Sequence, residues 1–362
     1  MDKIKVLIVD DSAFMRNAIK SMVASDNELQ VVGVACDGVE AIEKVLTLKP
    51  DIVTMDINMP RMNGLEALEQ IMKKSPVAVI MISSLTVEGA NTTLKALELG
   101  AVDFIPKNLS DLSINIMNIK QILTDKLKQI GGKKKKLPNM TDSQVISSIQ
   151  QIQTPQAAVN QARPVKNIAK NMSSKKIEIV AIGTSTGGPK ALQTVIPLLP
   201  KNFPLPVVIS QHMPATFTGP FAERLNQLSQ LQVKEAKQGE KIESGIVYIA
   251  PGTGHMSLVK KGADRIVNIT DKAGYIYKPS VDVMMLSVAE VNPGACLGVI
   301  LTGMGNDGLQ GMKAIHDSGG RTLAQNEFTC VVYGMPKAVV DAGIADKIAP
   351  LIDIAAEIVK SI

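Results

Sequence analysis

Residues 177–196 read IEIVAIGTSTGGPKALQTVI and combine an apolar strand, a glycine-rich turn and the start of a helix. The strand-like part is short and rich in Ile and Val. Pro189 suits the first position of the helix, because that position needs no backbone N–H donor. A strand that passes through such a turn into a helix is typical of α/β proteins. This stretch therefore predicts an α/β fold for the second half of the chain.

The same alternation of strand and helix extends in both directions from this stretch. Further strand-like runs follow at residues 205–210 (LPVVIS), 245–250 (GIVYIA), 297–303 (LGVILTG) and 321–326 (RTLAQN), with a β-hairpin predicted over residues 255–269. Five more precede it: KVLIVD, QVVGVA, DIVTMD, AVIMIS and DFIPK. Nearly continuous apolar runs are expected of strands covered on both faces. We predict two doubly wound parallel-sheet domains, a flavodoxin-like one and then a Rossmann-like one with an inserted β-hairpin.

The segment 131–174 separates these two halves. It is rich in Lys, Gln, Asn and Ser, and its charge is 7 − 1 = +6 within a chain whose net charge is +5. We predict a flexible basic linker here, between domains at 1–130 and 175–362. The run Lys133–Lys136 is expected to be a charged tether, with docking on an acidic surface as the alternative.

Composition excludes several classes of protein. The chain is 45% apolar, which suits buried cores, but only 3% aromatic and without Trp, so it lacks the stacking platforms of a single-strand nucleic-acid binder. Three scattered cysteines cannot form a disulfide framework or a cysteine-type zinc site. Neither a membrane span nor a signal peptide is evident. We expect a cytoplasmic protein that binds no nucleic acid.

Acidic residues follow two strand-like runs in the first half of the chain. Asp10 and Asp11 follow KVLIV, and Asp56 follows DIVTM. Because the carboxyl ends of parallel strands face one crevice, these acids should converge, and their repulsion favours a bound cation such as Mg²⁺. Ser83 and Lys107 end two other strands and supply a hydroxyl and a cation. This set suits phosphorylation of a carboxylate, whereas capping of loops is the alternative for any single acid.

The turn Gly183–Gly188 allows three functional interpretations. A dinucleotide loop fits poorly, because Ser185 stands where the motif needs glycine, and a phosphate loop lacks its GK[ST] end. The turn does satisfy G-x-S-x-G, which exposes a nucleophilic serine above a sheet. A serine that only caps the helix is the structural alternative.

A nucleophilic serine needs a base and an acid, and the chain has only three histidines. His316 ends a predicted helix, where a structural role is favoured. His255 is a candidate pocket residue, and His212 directly follows an apolar strand. Asp307 also lies just past a strand, so Ser185, His212 and Asp307 are all predicted at strand carboxyl ends. The order Ser, His, Asp along the chain differs from that of α/β-hydrolases.

Residues 1–125 resemble a two-component response-regulator receiver, on the strength of these strand-end residues. The resemblance implies that Asp56 is the phosphoacceptor and that Asp10, Asp11, Asp56 and the Asn58 carbonyl hold Mg²⁺. It also implies a switch formed by Ser83, Lys107 and the aromatic Phe104. Receivers usually have Pro after the lysine, and here Asn108 follows instead, so the loop around Lys107 is expected to be trans and differently placed.

The second half resembles the catalytic domain of chemotaxis protein-glutamate methylesterases. The motifs GTSTGG, QHMP, APGTGH, KPSVDVM and TGMGNDG occur in this order. The resemblance implies that Ser185 is the nucleophile, His212 the general base and Asp307 its orienting acid. It makes the Met304 backbone N–H an oxyanion donor and places Thr186 in the site. The family mostly has Ala where this chain has Thr184.

This likeness implies a substrate, partners and regulation. The substrates would be glutamyl methyl esters of methylated chemoreceptors, and some members also deamidate receptor glutamines. A histidine kinase would be the phosphodonor, Mg²⁺ would serve the receiver, and the esterase would need no cofactor. We expect a monomer that meets the membrane only through receptors. The unphosphorylated receiver is expected to pack over the hydrolase crevice, and phosphorylation of Asp56 to open it.

Two other classes of function are compatible with the sequence. One is a non-enzymatic signalling protein, in which the glycine-rich loops of the second half bind a nucleotide or a partner. The other is a transcriptional regulator, although the second half has no helix-turn-helix signature. Reactivity of Ser185 towards an acylating probe separates the enzyme from the first of these.

Overall fold

The computed structural model describes residues 2–107, 116–132, 175–271, 274–275 and 277–362. Nearly all of the predicted linker 131–174 and the position of Asn108 lie outside these residues. Among the described residues, no helix is both long and apolar enough to cross a membrane. The described parts before and after the linker contain two separate parallel sheets.

The first sheet has five parallel strands in the order β2-β1-β3-β4-β5. This is the flavodoxin-like order, which confirms the prediction for the first half. The strands are β1 (Ile4–Val9), β2 (Leu29–Ala35), β3 (Ile52–Asp56), β4 (Ala78–Ser84) and β5 (Asp103–Lys107).

Five helices connect and cover these strands: α1 (Ala13–Ala24), α2 (Gly38–Leu48), α3 (Gly64–Lys74), α4 (Val87–Glu98) and α5 (Ile116–Gly131). Polar residues start the first four, because each side chain accepts a bond from an otherwise unpaired N–H of the first turn. The caps are Ser12, Asp37, Asn63 and Thr86. These caps fix where the loops after β1, β2, β3 and β4 end and the helices begin.

The second sheet has seven parallel strands in the order β14-β13-β12-β6-β7-β9-β8. Its strands are β6 (Ile179–Thr184), β7 (Val207–Gln211), β8 (Gln232–Glu235), β9 (Ile246–Ile249), β12 (Cys296–Ile300), β13 (Arg321–Gln325) and β14 (Lys347–Ala349). The strand order reverses at β6, which has β7 on one side and β12 on the other. In such sheets the crevice at the reversal point is where ligands bind.

The predicted hairpin is present and consists of β10 (His255–Lys261) paired antiparallel with β11 (Asp264–Thr270). The helices of this half are α6 (Gly188–Val195), α7 (Ala215–Leu228), α8 (Val281–Val291), α9 (Leu309–Asp317), α10 (Met335–Asp341) and α11 (Ile354–Lys360). The doubly wound α/β architecture is thus confirmed for both halves.

The two sheets share a hydrophobic core. The largest buried cluster contains residues from both halves, including Leu97 of α4 and Leu225 of α7. The ring of Phe104 on β5 stacks on that of Phe217 on α7, with centroids 4.6 Å apart. The described residues on the two sides of the linker accordingly belong to one compact unit. The domain limits at 130 and 175 stay a prediction.

Candidate active site

The fold brings three polar residues to one edge of the second sheet. Ser185 follows β6, His212 follows β7, and Asp307 lies in the loop between β12 and α9. These strands are neighbours in the order β12-β6-β7, so their carboxyl ends meet at the crevice of the reversal point. Residues separated by up to 122 positions thereby become adjacent.

The three side chains form a continuous hydrogen-bonded chain. His212 Nδ1 lies 2.9 Å from Ser185 Oγ, and His212 Nε2 lies 2.7 Å from Asp307 Oδ2. A carboxylate can only accept, so the Nε2 proton is donated to Asp307 and Nδ1 is left as an acceptor for the serine hydroxyl. This tautomer is the one that a general base requires.

Asp307 is held by the N-terminus of α8. Its carboxylate accepts bonds from the Ser280 hydroxyl at 3.0 Å, from the Val281 N–H at 2.7 Å and from the Asp282 N–H at 3.0 Å. Burial alone raises the pKa of Asp307, but the bonds from His212 and from these backbone N–H groups outweigh it and lower the pKa below its ordinary value. Asp307 is therefore an ionised partner for the imidazole.

Close packing explains the glycines of the turn after β6. Gly187 has φ +76°, and a Cβ there would lie 2.6 Å from Val331. At Gly188 a Cβ would lie 2.0 Å from Gln211 Oε1. The Gln211 amide donates to the carbonyls of Ser185 and His212, at 3.0 Å each. Gln211 was not predicted from the sequence, although it immediately precedes His212.

Thr184, the departure from the family motif, has a buried side chain with a defined partner. Its hydroxyl donates to the Thr302 carbonyl at 2.8 Å, and the Ser185 N–H donates to the same carbonyl at 3.1 Å. The extra hydroxyl therefore ties the turn after β6 to the loop after β12.

The predicted pocket residues lie around this chain. A Cβ on Gly303 would approach Ser185 Cβ to 3.0 Å, so the loop that carries Met304 lies against the serine. Thr186 is buried, and its hydroxyl has no hydrogen-bond partner within the part of the chain that the structure describes. His255 is buried, and its Nδ1 accepts from the Ser280 N–H at 3.0 Å, behind Asp307. The roles of these residues stay predictions.

Two residues of the site were missed by sequence reasoning. Ser280 contacts Asp307 directly, and the ring of Tyr277 stacks on the imidazole of His212. Both belong to or adjoin the motif KPSVDVM, which was the available signal. His316, interpreted as structural, lies in the last turn of α9 beside Asp317.

The predicted acid cluster forms at the edge of the first sheet. Carboxylate oxygens of Asp10, Asp11 and Asp56 all lie within 4.8 Å of one another. Three hard oxygen ligands at this spacing fit a divalent cation such as Mg²⁺. Lys107 also reaches the cluster, since its Nζ lies 2.9 Å from Asp10 Oδ2 and 2.9 Å from Asp56 Oδ2.

Burial shapes the electrostatics of this cluster. It raises the pKa of Asp56, and the negative charge of Asp10 adds to this effect, although Lys107 opposes it. For Lys107, burial works against the charged form, but the bonds to Asp10 and Asp56 prevail and raise its pKa. The raised pKa of Asp56 reflects its burial and the neighbouring Asp10 carboxylate, whereas the fixed Lys107 cation is the group that can pair with added negative charge.

The other predicted receiver residues have separate surroundings. Ser83 is buried, and its hydroxyl accepts from Thr93 at 2.6 Å and donates to the Gly89 carbonyl at 3.2 Å. Asn58 is exposed, two residues beyond Asp56. Phe104 lies in the contact with α7. The switch roles of these residues stay predictions.

Contacts join the first half of the chain to the site in the second. Val332 belongs to a hydrophobic cluster of the first sheet, and Met304 and Val331 pack against that cluster. Arg224 of α7 forms a two-point ion pair with Glu98 of α4, with Nη2 to Oε2 at 3.0 Å. The loop beside Ser185 is therefore in contact with the half that carries Asp56.

An open α/β sheet with a hydroxyl, an imidazole and a carboxylate in hydrogen-bonded sequence defines a serine hydrolase. Here the hydrolase is combined with a receiver-type sheet. The family profile "CheB methylesterase" matches residues 180–358, and "Response regulator receiver domain" matches residues 6–117.

Relatives of the whole chain bear one name. Proteins called protein-glutamate methylesterase/protein-glutamine glutaminase are 45% identical in Lawsonia intracellularis and 47% identical in Nitratidesulfovibrio vulgaris, each over 99% of both chains. The crystal structure of the Thermotoga maritima CheB methylesterase catalytic domain is 41% identical with a TM-score of 0.51, covering 52% of this chain and 100% of that one. The chain belongs to the protein-glutamate methylesterase/protein-glutamine glutaminase family.

Proposed function

We propose that this protein hydrolyses methyl esters of glutamate side chains in chemoreceptors, under control of phosphorylation at Asp56. The observation that carries the proposal is the chain from Ser185 Oγ through His212 to Asp307, at 2.9 and 2.7 Å. Deamidation of receptor glutamines, which the names of the relatives include, uses the same acyl chemistry with ammonia as the leaving group.

The residues account for each bond and proton of the reaction. Ser185 Oγ attacks the ester carbonyl while its proton passes to His212 Nδ1, and Asp307 stabilises the imidazolium that forms. His212 then returns the proton to the departing methoxide, which leaves as methanol. A water molecule then gives a proton to the same imidazole and attacks the acyl-serine. The imidazole returns that proton to Ser185 Oγ as the acyl bond breaks, which releases the glutamate and restores the serine.

The oxyanion formed in both steps needs donors. We assign this role to the Met304 backbone N–H, on the loop that lies against Ser185. The Thr186 hydroxyl, which has no hydrogen-bond partner among the described residues, would line the site. An oxyanion donor typically contributes about 3 kcal/mol to transition-state stabilisation. His255 supports Asp307 indirectly, because it fixes the Ser280 backbone that precedes the donors Val281 and Asp282.

Asp56 is the proposed phosphoacceptor, with a histidine kinase as phosphodonor. Asp10, Asp11, Asp56 and the Asn58 carbonyl would hold Mg²⁺, which when bound neutralises phosphoryl oxygens. Lys107 already contacts two of these carboxylates and would pair with the phosphoryl group. Ser83 and Phe104 would then respond as the switch. The proposed esterase chemistry uses groups of the chain and water, without a cofactor.

The contacts between the two halves suggest how phosphorylation acts. Met304 and Val331 beside the serine pack against the first half, and Phe104 stacks on Phe217. A receiver that covers the oxyanion loop restricts entry of a receptor helix. Phosphorylation would favour a state in which these contacts are released. We also propose that the domains span 1–130 and 175–362. The protein is further proposed to be monomeric and cytoplasmic and to bind no nucleic acid.

Methanol release from methylated receptors tests the proposal. Ser185→Ala should abolish release, whereas Ser21→Ala, on the exposed surface of α1, should leave it unchanged. Asp56→Asn should retain basal release but lose stimulation by a small phosphodonor. Release by Ser185→Ala at the wild-type rate would refute the proposed function and favour a binding module without hydrolase activity.

A further inference from the structure

The imidazole of His212 is covered on one face by an aromatic ring. The centroids of His212 and Tyr277 are 4.6 Å apart, and the two planes differ by 14°, so the rings are stacked. Tyr277 is half-buried, and only 8% of the His212 side chain is exposed. The edge of the imidazole carries its two hydrogen bonds, and its face carries this contact.

The position of Tyr277 is tied to both ends of the catalytic arrangement. Three residues later, the Ser280 hydroxyl donates to Asp307. At the other end of the ring, a Cβ built on Gly305 would lie 4.0 Å from the Tyr277 hydroxyl oxygen, so the tyrosine also lies over the loop that follows Met304. The ring thus spans from the proposed base to the proposed oxyanion loop.

We propose that Tyr277 is a positioning residue for the acyl-transfer reaction: its ring keeps the His212 imidazole oriented with Nδ1 towards Ser185 and Nε2 towards Asp307. This inference rests on the proposed function. Rotation of the imidazole by half a turn would replace both nitrogens with carbons and break both hydrogen bonds. A flat ring in contact with the imidazole face hinders this rotation.

The stacked ring also favours the charged intermediate. His212 becomes an imidazolium when it takes the serine proton, and a cation over an aromatic face is attracted by the ring's quadrupole. This attraction increases between ground state and transition state, which is the condition for a contribution to kcat. The effect needs the ring and not the hydroxyl, so Tyr277→Phe should preserve it.

Three variants of Tyr277 and one control variant, each in the full-length protein, are assayed for methanol release with phosphodonor present. Tyr277→Phe should retain kcat to within about twofold, whereas Tyr277→Leu should lower kcat about tenfold with KM changed less than about twofold. Phe14→Leu is the control, since it removes an aromatic ring that is 67% exposed on α1, and it should behave like the wild type. A second non-aromatic variant, Tyr277→Met, should reproduce the loss seen with leucine.

A spectroscopic readout separates positioning from general structure. The proton between His212 Nε2 and Asp307 should give a low-field NMR resonance in the wild type and in Tyr277→Phe, and this signal should broaden in Tyr277→Leu and Tyr277→Met. Wild-type kcat in either folded non-aromatic variant, or a loss in Tyr277→Phe equal to that in Tyr277→Leu, would overturn the inference. If the wild type releases no methanol and the resonance still depends on the ring, the proposed function fails and the positioning role stands.

Discussion

The stacked pair Phe104–Phe217 offers a quantitative test of the coupling between the two halves. The rings lie 4.6 Å apart with planes 15° from parallel, and both side chains are buried. Aromatic pairs contribute about 1 kcal/mol beyond the burial of their area. Phe104→Leu keeps most of the apolar area and removes this pair term. A loss of about 1 kcal/mol shifts an equilibrium between covered and uncovered states about fivefold.

We therefore expect Phe104→Leu to raise methanol release without phosphodonor by up to about fivefold, provided that the covered state predominates in the wild type. The rate with phosphodonor should change much less, because phosphorylation already favours the uncovered state. The measurement is the initial rate of release from methylated receptors, with and without a small phosphodonor.

The matched control is Phe14→Leu, which makes the same substitution at an α1 side chain that is 67% exposed. It should leave the basal rate unaltered. An unchanged basal rate in Phe104→Leu, or an equal rise with and without phosphodonor, would show that the stack does not hold the site covered.

Three further predictions follow from the polar groups. Asp307→Asn should lower kcat for methanol release by about 10³-fold or more, because an amide cannot stabilise the imidazolium as the carboxylate does. A loss of kcat below about tenfold would contradict this. Burial raises the pKa of Asp282 from 3.8 to about 6. Between these two pH values the native state binds more protons than the unfolded chain, so the free energy of unfolding falls as pH rises. Denaturant unfolding from about pH 4 to pH 7 should show that Asp282→Asn removes this decline. An equal dependence of the free energy of unfolding on pH in the wild type and in Asp282→Asn would argue against it. Lys107→Ala should keep basal esterase activity but lose stimulation by phosphodonor. Lys73→Ala, at an exposed side chain of α3, should lose neither. Preserved stimulation in Lys107→Ala would exclude its proposed role.

Local patterns predicted most of the secondary structure. The ten strand-like runs and the hairpin are all present. Most of them are apolar or β-branched runs that can be recognised by themselves. The missed strands, β8 and β14, lie at the two edges of the second sheet. Gln232–Glu235 and Lys347–Ala349 are short and partly exposed, so they lack the apolar pattern that marks a central strand.

The candidate triad could be predicted because strand ends follow a simple rule. Ser185, His212 and Asp307 each come just after an apolar run, and parallel strands direct their carboxyl ends to one edge. The rule places residues at an edge, but it does not give the order of strands along that edge. Only the neighbouring positions of β12, β6 and β7 bring the three side chains within hydrogen-bond distance.

The sequence by itself determined the two α/β halves and the residue types at their strand ends, because these depend on short-range hydrophobic pattern and turn chemistry. The tertiary structure decided which groups surround the reactive ones. Tyr277 lies 65 positions from His212, and its stacking depends on where the chain before α8 returns to the sheet. The contact between Phe104 and Phe217 likewise depends on tertiary structure, because the packing of whole helices and sheets determines which distant segments meet.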